Sequence, residues 1–166
     1  MSKLVHTSEQ TIQMMRSSIL GYSVGMDPRY RVSPHHRLMG TVLQEAFEGK
    51  YNRLMIFMPP RHGKSELTSK KAPSYFMGRW PHRKIITASH TAQLAASFGG
   101  HVRDMIKDPL HTAVWGPDAA LDPSTTAKDD FKLIGKGEYT AVGVGGTPIG
   151  KGADLFVIDD PFKSRE

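Results

Sequence analysis

The chain has 166 residues and a formal net charge of +6, long enough for one domain with a sizeable core and no need of a metal or disulfide staple. It contains no cysteine, which excludes disulfide frameworks, thiolate nucleophiles and cysteine-ligated zinc and gives no sign of an oxidising compartment. No stretch approaches the roughly 18 apolar residues of a membrane span, and Met1 to Met26 lacks a signal-peptide core, so the cytoplasm is the expected location and no membrane partner is expected.

The charge is unevenly spread. Residues 1–87 carry 14 Lys+Arg against 5 Asp+Glu, and residues 88–166 carry 8 against 11. A basic front half suits a polyanion such as nucleic acid or nucleotide phosphate, although a solvated basic face would look the same.

In chain order, residues 1–50 read as a largely helical lead-in and residues 51–166 as an α/β core. Residues 34–49 place Leu38, Val42, Leu43 and Phe47 at helical spacing before Gly49, which predicts a helix. Arg53 to Met58 is a nearly continuous apolar run and predicts a buried strand. A loop with Pro59, Pro60 and Gly63 follows. Lys64 to Trp80 is helix-compatible, with Pro73 expected to kink or end the helix.

Arg83 to Ser89 predicts a second buried strand, and Leu94, Phe98, Val102 and Ile106 mark one face of a helix over 90–107. Residues 108–129 read as a surface connection. Phe131–Ile134, Glu138–Val144 and Leu155–Ile158 predict three more strands. Strands alternating with helices imply a mostly parallel sheet with helices on both faces.

Two segments compete for the phosphate-binding pattern G-x-x-x-x-G-K-[ST]. Met58 to Ser65 ends in Gly63-Lys64-Ser65 but begins with Met; Gly145 to Gly152 keeps both glycines and Lys151 but lacks the hydroxyl. Such a loop aims backbone N–H groups and a helix N-terminus at the phosphates, with Lys on the β/γ oxygens and a hydroxyl on Mg²⁺. Only the first segment has the hydroxyl and opens a helix. The binding residues expected there are Pro60, Arg61, His62, Gly63, Lys64, Ser65 and Glu66.

Leu155 to Ile158 ends in Asp159 and Asp160. Two acids at the end of an apolar strand are costly unless they face a metal, water or a cation. Asp159 then reads as the metal-side residue and Asp160 as the residue that positions water for attack; two acids capping a turn before Pro161 are the plainer alternative. Adjacent His35 and His36 diverge on a helix and lack a third ligand, so they read as surface or helix-start packing. Gln44 reads as an exposed glutamine or an adenine reader. Gly143 to Gly152 is either a DNA- or nucleotide-contacting loop or a hairpin connection.

These residues resemble the large subunit of phage terminases, specifically the prophage type whose phosphate loop reads PPRHGKSE, here Pro59 to Glu66. The similarity continues through Ile86–Ile106, Glu138–Gly146 and Gly150–Lys163. The resemblance implies a P-loop NTPase of the additional-strand (ASCE) class that hydrolyses ATP with Mg²⁺ to drive viral double-stranded DNA into a capsid. It also implies a ring homo-oligomer working with a portal protein and a terminase small subunit in the host cytoplasm.

On the same resemblance Lys64 contacts the β/γ-phosphates, Ser65 and Asp159 share Mg²⁺, and Asp160 takes the place of the catalytic glutamate. Arg61 matches the loop arginine and is the second catalytic residue expected. Family members continue past the acidic motif into further strands and a nuclease domain. The chain is therefore expected to be an incomplete motor, cut after the acidic-motif strand and without nuclease activity. The alternatives are a non-catalytic nucleotide-binding or assembly fragment and a helicase-like ATPase.

Overall fold

The computed structural model describes residues 8–146 and 150–162. Three helices lead in: α1 (Glu9–Ser17), α2 (Ile19–Met26) and α3 (Pro34–Phe47). Ser8 and Ser18 cap the first two, accepting from the N–H groups of Thr11 and Gly21, which satisfies donors that a helix start otherwise leaves open. Helix α3 begins with Pro34 in its first turn and a capping box built from Ser33 and His36. Its buried residues include Met39, Leu43 and Phe47, whereas Leu38 is 69% exposed. Of the expected face Leu43 and Phe47 are buried, while Met39 rather than Leu38 turns inward at its start.

The run Arg53–Met58 forms no strand. It passes alongside the sheet with Met55 79% and Phe57 87% exposed. After the loop, a helix opens at Lys64 and widens into a π-helical turn, Glu66–Lys71, before continuing as α4 (Ala72–Arg79). Ala72 donates its N–H to the Leu67 carbonyl, five residues back. The wider turn carries the chain through Pro73, whose ring would otherwise press on the carbonyl four residues earlier. The helix therefore continues past Pro73 instead of ending there.

The remaining elements are β1 (Lys84–Ser89), α5 (Ala92–Lys107), α6 (Pro109–Trp115), a 3₁₀ turn (Pro117–Ala119), β2 (Leu121–Thr126), β3 (Asp130–Leu133), β4 (Glu138–Gly143) and β5 (Leu155–Ile158). Helix α6 and strand β2 occupy the stretch expected to be a plain connection. Asp108 caps α6 by accepting from Leu110 N–H, and Pro109 occupies its first turn.

The protein is α/β, with a five-stranded mixed sheet in the order β2-β3-β4-β1-β5. Strands β4 and β5 flank β1 in parallel, while β2–β3 and β3–β4 are antiparallel. The expectation of a mostly parallel sheet is corrected by the short β3–β4 link. Parallel neighbours need a crossover of about a dozen residues, but Leu133 donates to the Gly137 carbonyl and Lys136 turns at φ 74. Helix α5 packs on β4 and β1, and α4 on β1. One continuous core joins the lead-in helices to the sheet through Tyr22, Leu67, Tyr75, Ile85, Phe131 and Tyr139.

Candidate functional site

The loop from Met58 to Ser65 is shaped by residues that set its backbone. Arg61 and Gly63 both take left-handed conformations, at φ 62 and φ 81. His62 Nδ1 donates to the Pro60 carbonyl at 2.8 Å, bracing the turn from within. The helix that follows is tied back by Leu67 N–H to Gly63 O at 3.1 Å. Among the described residues no acceptor meets the N–H groups of Gly63, Lys64, Ser65 or Glu66. Four free donors at the positive end of a helix form an anion-binding position.

Strand β5 brings the carboxylates. Asp159 N–H continues the ladder to Ala88 O at 2.9 Å, and His90 N–H reaches Asp160 O at 3.3 Å. Both acids lie past the last residue of β5 and differ in exposure: the Asp159 side chain is 3% exposed, while that of Asp160 is 63% exposed and its backbone has turned to φ 44.

Lys64 Nζ lies 3.1 Å from Asp159 Oδ1 and 2.5 Å from Asp160 Oδ1, 96 residues away in sequence. Burial works against the Lys64 charge, but the two carboxylates outweigh it and raise the ammonium above its ordinary pKa. Asp159 Oδ2 is held by the Ser69 hydroxyl at 2.7 Å. Each oxygen of the buried carboxylate therefore has a donor, as a buried charge requires.

The structure thus gathers Lys64, Asp159 and Asp160 at one point, with Ser65 half-buried in the first helical turn beside Lys64 and Pro60, Arg61 and His62 exposed around the loop. Glu66 turns its carboxylate to Lys70 at 2.8 Å and Lys71 at 3.5 Å, so only its N–H faces the anion position. Burial opposes ionisation of Glu66, yet the bond from Lys70 holds its carboxyl below the ordinary range.

Lys151 of the competing segment is engaged elsewhere, bonding Asp130 Oδ2 at 2.9 Å and Thr140 Oγ1 at 3.0 Å. Residues 147–149 of that segment, and Lys163 of the last resembling stretch, lie outside the described residues. Gln44 is committed as well, accepting from Ile19 N–H at 3.2 Å and donating to Tyr75 Oη at 3.1 Å.

Three residues had no assigned role at the site. Ser69 stands four residues after Ser65, a spacing that shares a helix face. His35 and His36, from the start of α3, each donate from Nε2 to the His62 carbonyl, at 3.2 and 3.1 Å. No sequence signal ties residue 36 to residue 62; only the packing of α3 does.

A cleft of about 750 Å³ runs from Tyr51 and Leu54 along β5 to Lys64 and Asp159. Its flank is apolar, with Phe156 and Ile158 exposed on β5. Among the described residues no group of three or more His, Asp or Glu side chains is placed to hold a metal. A hard cation here would be held by Asp159 and the Ser65 hydroxyl together with oxygens of a bound phosphate, the usual way Mg²⁺ is shared with a nucleotide. Free N–H groups, one ammonium, one hydroxyl and a buried carboxylate fit that pairing.

No family model, curated protein or solved structure matches the chain. Among the described residues no helix is long and apolar enough to cross a membrane.

Proposed function

We propose that the chain is the ATP-binding core of a DNA-packaging motor of the phage terminase large-subunit type, a P-loop NTPase of the additional-strand class. One observation carries this reading: the lysine of the glycine loop meets two carboxylates, Asp159 and Asp160, just past the end of β5. That convergence is what a nucleotide site needs, since cation, hydroxyl and metal-side acid must surround the terminal phosphates.

In this reading the N–H groups of Gly63 to Glu66 hold the β-phosphate side. Lys64 leaves its carboxylate partners for the β/γ oxygens, and Ser65 and Asp159 hold Mg²⁺. Bound Mg²⁺ supplies neutralisation of phosphate charge. Asp160, exposed and close by, orients water and accepts its proton, while Arg61 reaches the γ-phosphate from the left-handed turn. Double-stranded DNA, the small subunit, the portal and a ring of copies are the partners of such a motor.

A non-catalytic nucleotide-binding module is the second reading, favoured by the exposure of Arg53–Met58, which leaves the loop without a strand beneath it. Phosphate release separates the two. The motor reading expects Mg·ATP turnover that Asp160→Asn lowers while still binding ATP. Binding by the parent chain without release above buffer selects the second reading.

A further inference from the structure

We propose that His36, seconded by His35, is a positioning residue that sets the peptide plane of the loop so that its N–H groups face the anion. This rests on the reading of Met58–Ser65 as a phosphate loop. A carbonyl can only accept, so the contacts from His35 Nε2 and His36 Nε2 to His62 O place a proton on both Nε2 atoms. His36 Nδ1 in turn accepts from Ser33 N–H at 3.2 Å, so the ring is held from both sides. Tyr30 lies against the same ring, 5.6 Å between centroids.

The consequence follows from peptide geometry. In a planar trans peptide the N–H points opposite to the C=O, and the chain has no cis bond among the described residues. Pinning His62 C=O toward the start of α3 therefore turns Gly63 N–H away from α3, to the open side where the free donors of Lys64, Ser65 and Glu66 begin. Gly63 is required twice over. Its φ of 81 disfavours a side chain, and a Cβ there would lie 2.5 Å from His36 Nε2. The ring seats directly on the glycine, and the two positions work as a unit.

Two substitutions divide the ring's duties. His36→Asn keeps an acceptor near Ser33 N–H but is too short to reach His62 O; His36→Gln places an amide N–H about where Nε2 stands and restores the clamp. In the nucleotide-free chain, Gly63 and Lys64 amide resonances should shift in His36→Asn and return toward the parent in His36→Gln. Affinity for Mg·ATP, titrated with a fluorescent analogue, should fall about five- to tenfold in His36→Asn and recover in His36→Gln, with cooperative urea unfolding retained in both. Unchanged resonances and affinity in His36→Asn, beside a loss in Lys64→Ala, would overturn the clamp alone. A parent chain that binds no Mg·ATP would overturn the phosphate-loop reading and the clamp's purpose with it.

Discussion

Ser69 donates its hydroxyl to Asp159 Oδ2 at 2.7 Å, joining the helix after the glycine loop to the end of β5 across 90 residues of sequence. Both side chains are buried. Asp159 therefore has one oxygen fixed by a neutral donor and the other turned to Lys64, which orients the carboxylate toward the candidate site.

Ser69→Ala removes that donor and leaves a buried carboxylate oxygen unpaired. The expected cost is about 1–3 kcal/mol of stability, read from the urea midpoint. If Asp159 also serves as a metal-side residue, Mg²⁺-dependent nucleotide affinity should fall in the same variant, because the carboxylate loses its fixed orientation.

The two acids should respond differently. Asp159→Asn takes away the buried negative charge facing Lys64 and should abolish the Mg²⁺ dependence of ATP-analogue binding. Asp160 is mostly exposed, and its pair with Lys64 is correspondingly weak, so Asp160→Asn should leave binding within about fivefold of the parent while lowering turnover. Matched titrations with and without Mg²⁺ check both; equal losses in the two variants would contradict the division.

The motif positions of the loop and of Asp159-Asp160 could be read because each is local: Gly-Lys-Ser at a helix start, and acids after an apolar run. Arg53–Met58 has the same apolar signature as Leu155–Ile158 but is not paired into the sheet. Composition reports the apolar run without saying whether a neighbour covers it. The β3–β4 reversal was available in the short Gly135–Gly137 link and was outweighed by the alternation pattern. Asp108-Pro109 likewise announced α6. The histidine clamp was not legible, because it depends on how α3 docks on a loop 26 residues later.

His111 supplies a pH dependence of stability. It is fully buried, its Nδ1 lies 2.7 Å from Tyr22 Oη, and burial pushes its pKa down from 6.5 to about 4. The unfolded chain therefore binds a proton that the folded chain does not as pH falls below about 6.5. The stabilisation from keeping this ring neutral is present above that pH and lost toward pH 4, on the order of 3 kcal/mol across the window. Urea midpoints at steps of pH should decline through this range, and the decline should flatten in His111→Gln.

The apolar flank of the cleft should make the chain associate. Among the described residues β5 pairs only with β1, and Met55, Phe57, Phe156, Ile158 and Phe162 are exposed. An open strand edge with apolar neighbours invites pairing between copies. Sedimentation velocity should show concentration-dependent self-association that Ile158→Lys reduces.

Lys64, not Lys151, is expected to close the proposed nucleotide site. Lys64 sits at the free N–H groups and between the two acids, whereas Lys151 is tied to Asp130 and Thr140 on the sheet. Equilibrium titration of a fluorescent ATP analogue with Mg²⁺ into the parent, Lys64→Ala and Lys151→Ala chains tests this directly. Affinity should fall tenfold or more in Lys64→Ala, in keeping with removal of a charge-assisted contact of roughly 1.5–3 kcal/mol, and stay near the parent's in Lys151→Ala. Equal affinity in Lys64→Ala and the parent, or the loss falling on Lys151→Ala instead, would contradict it.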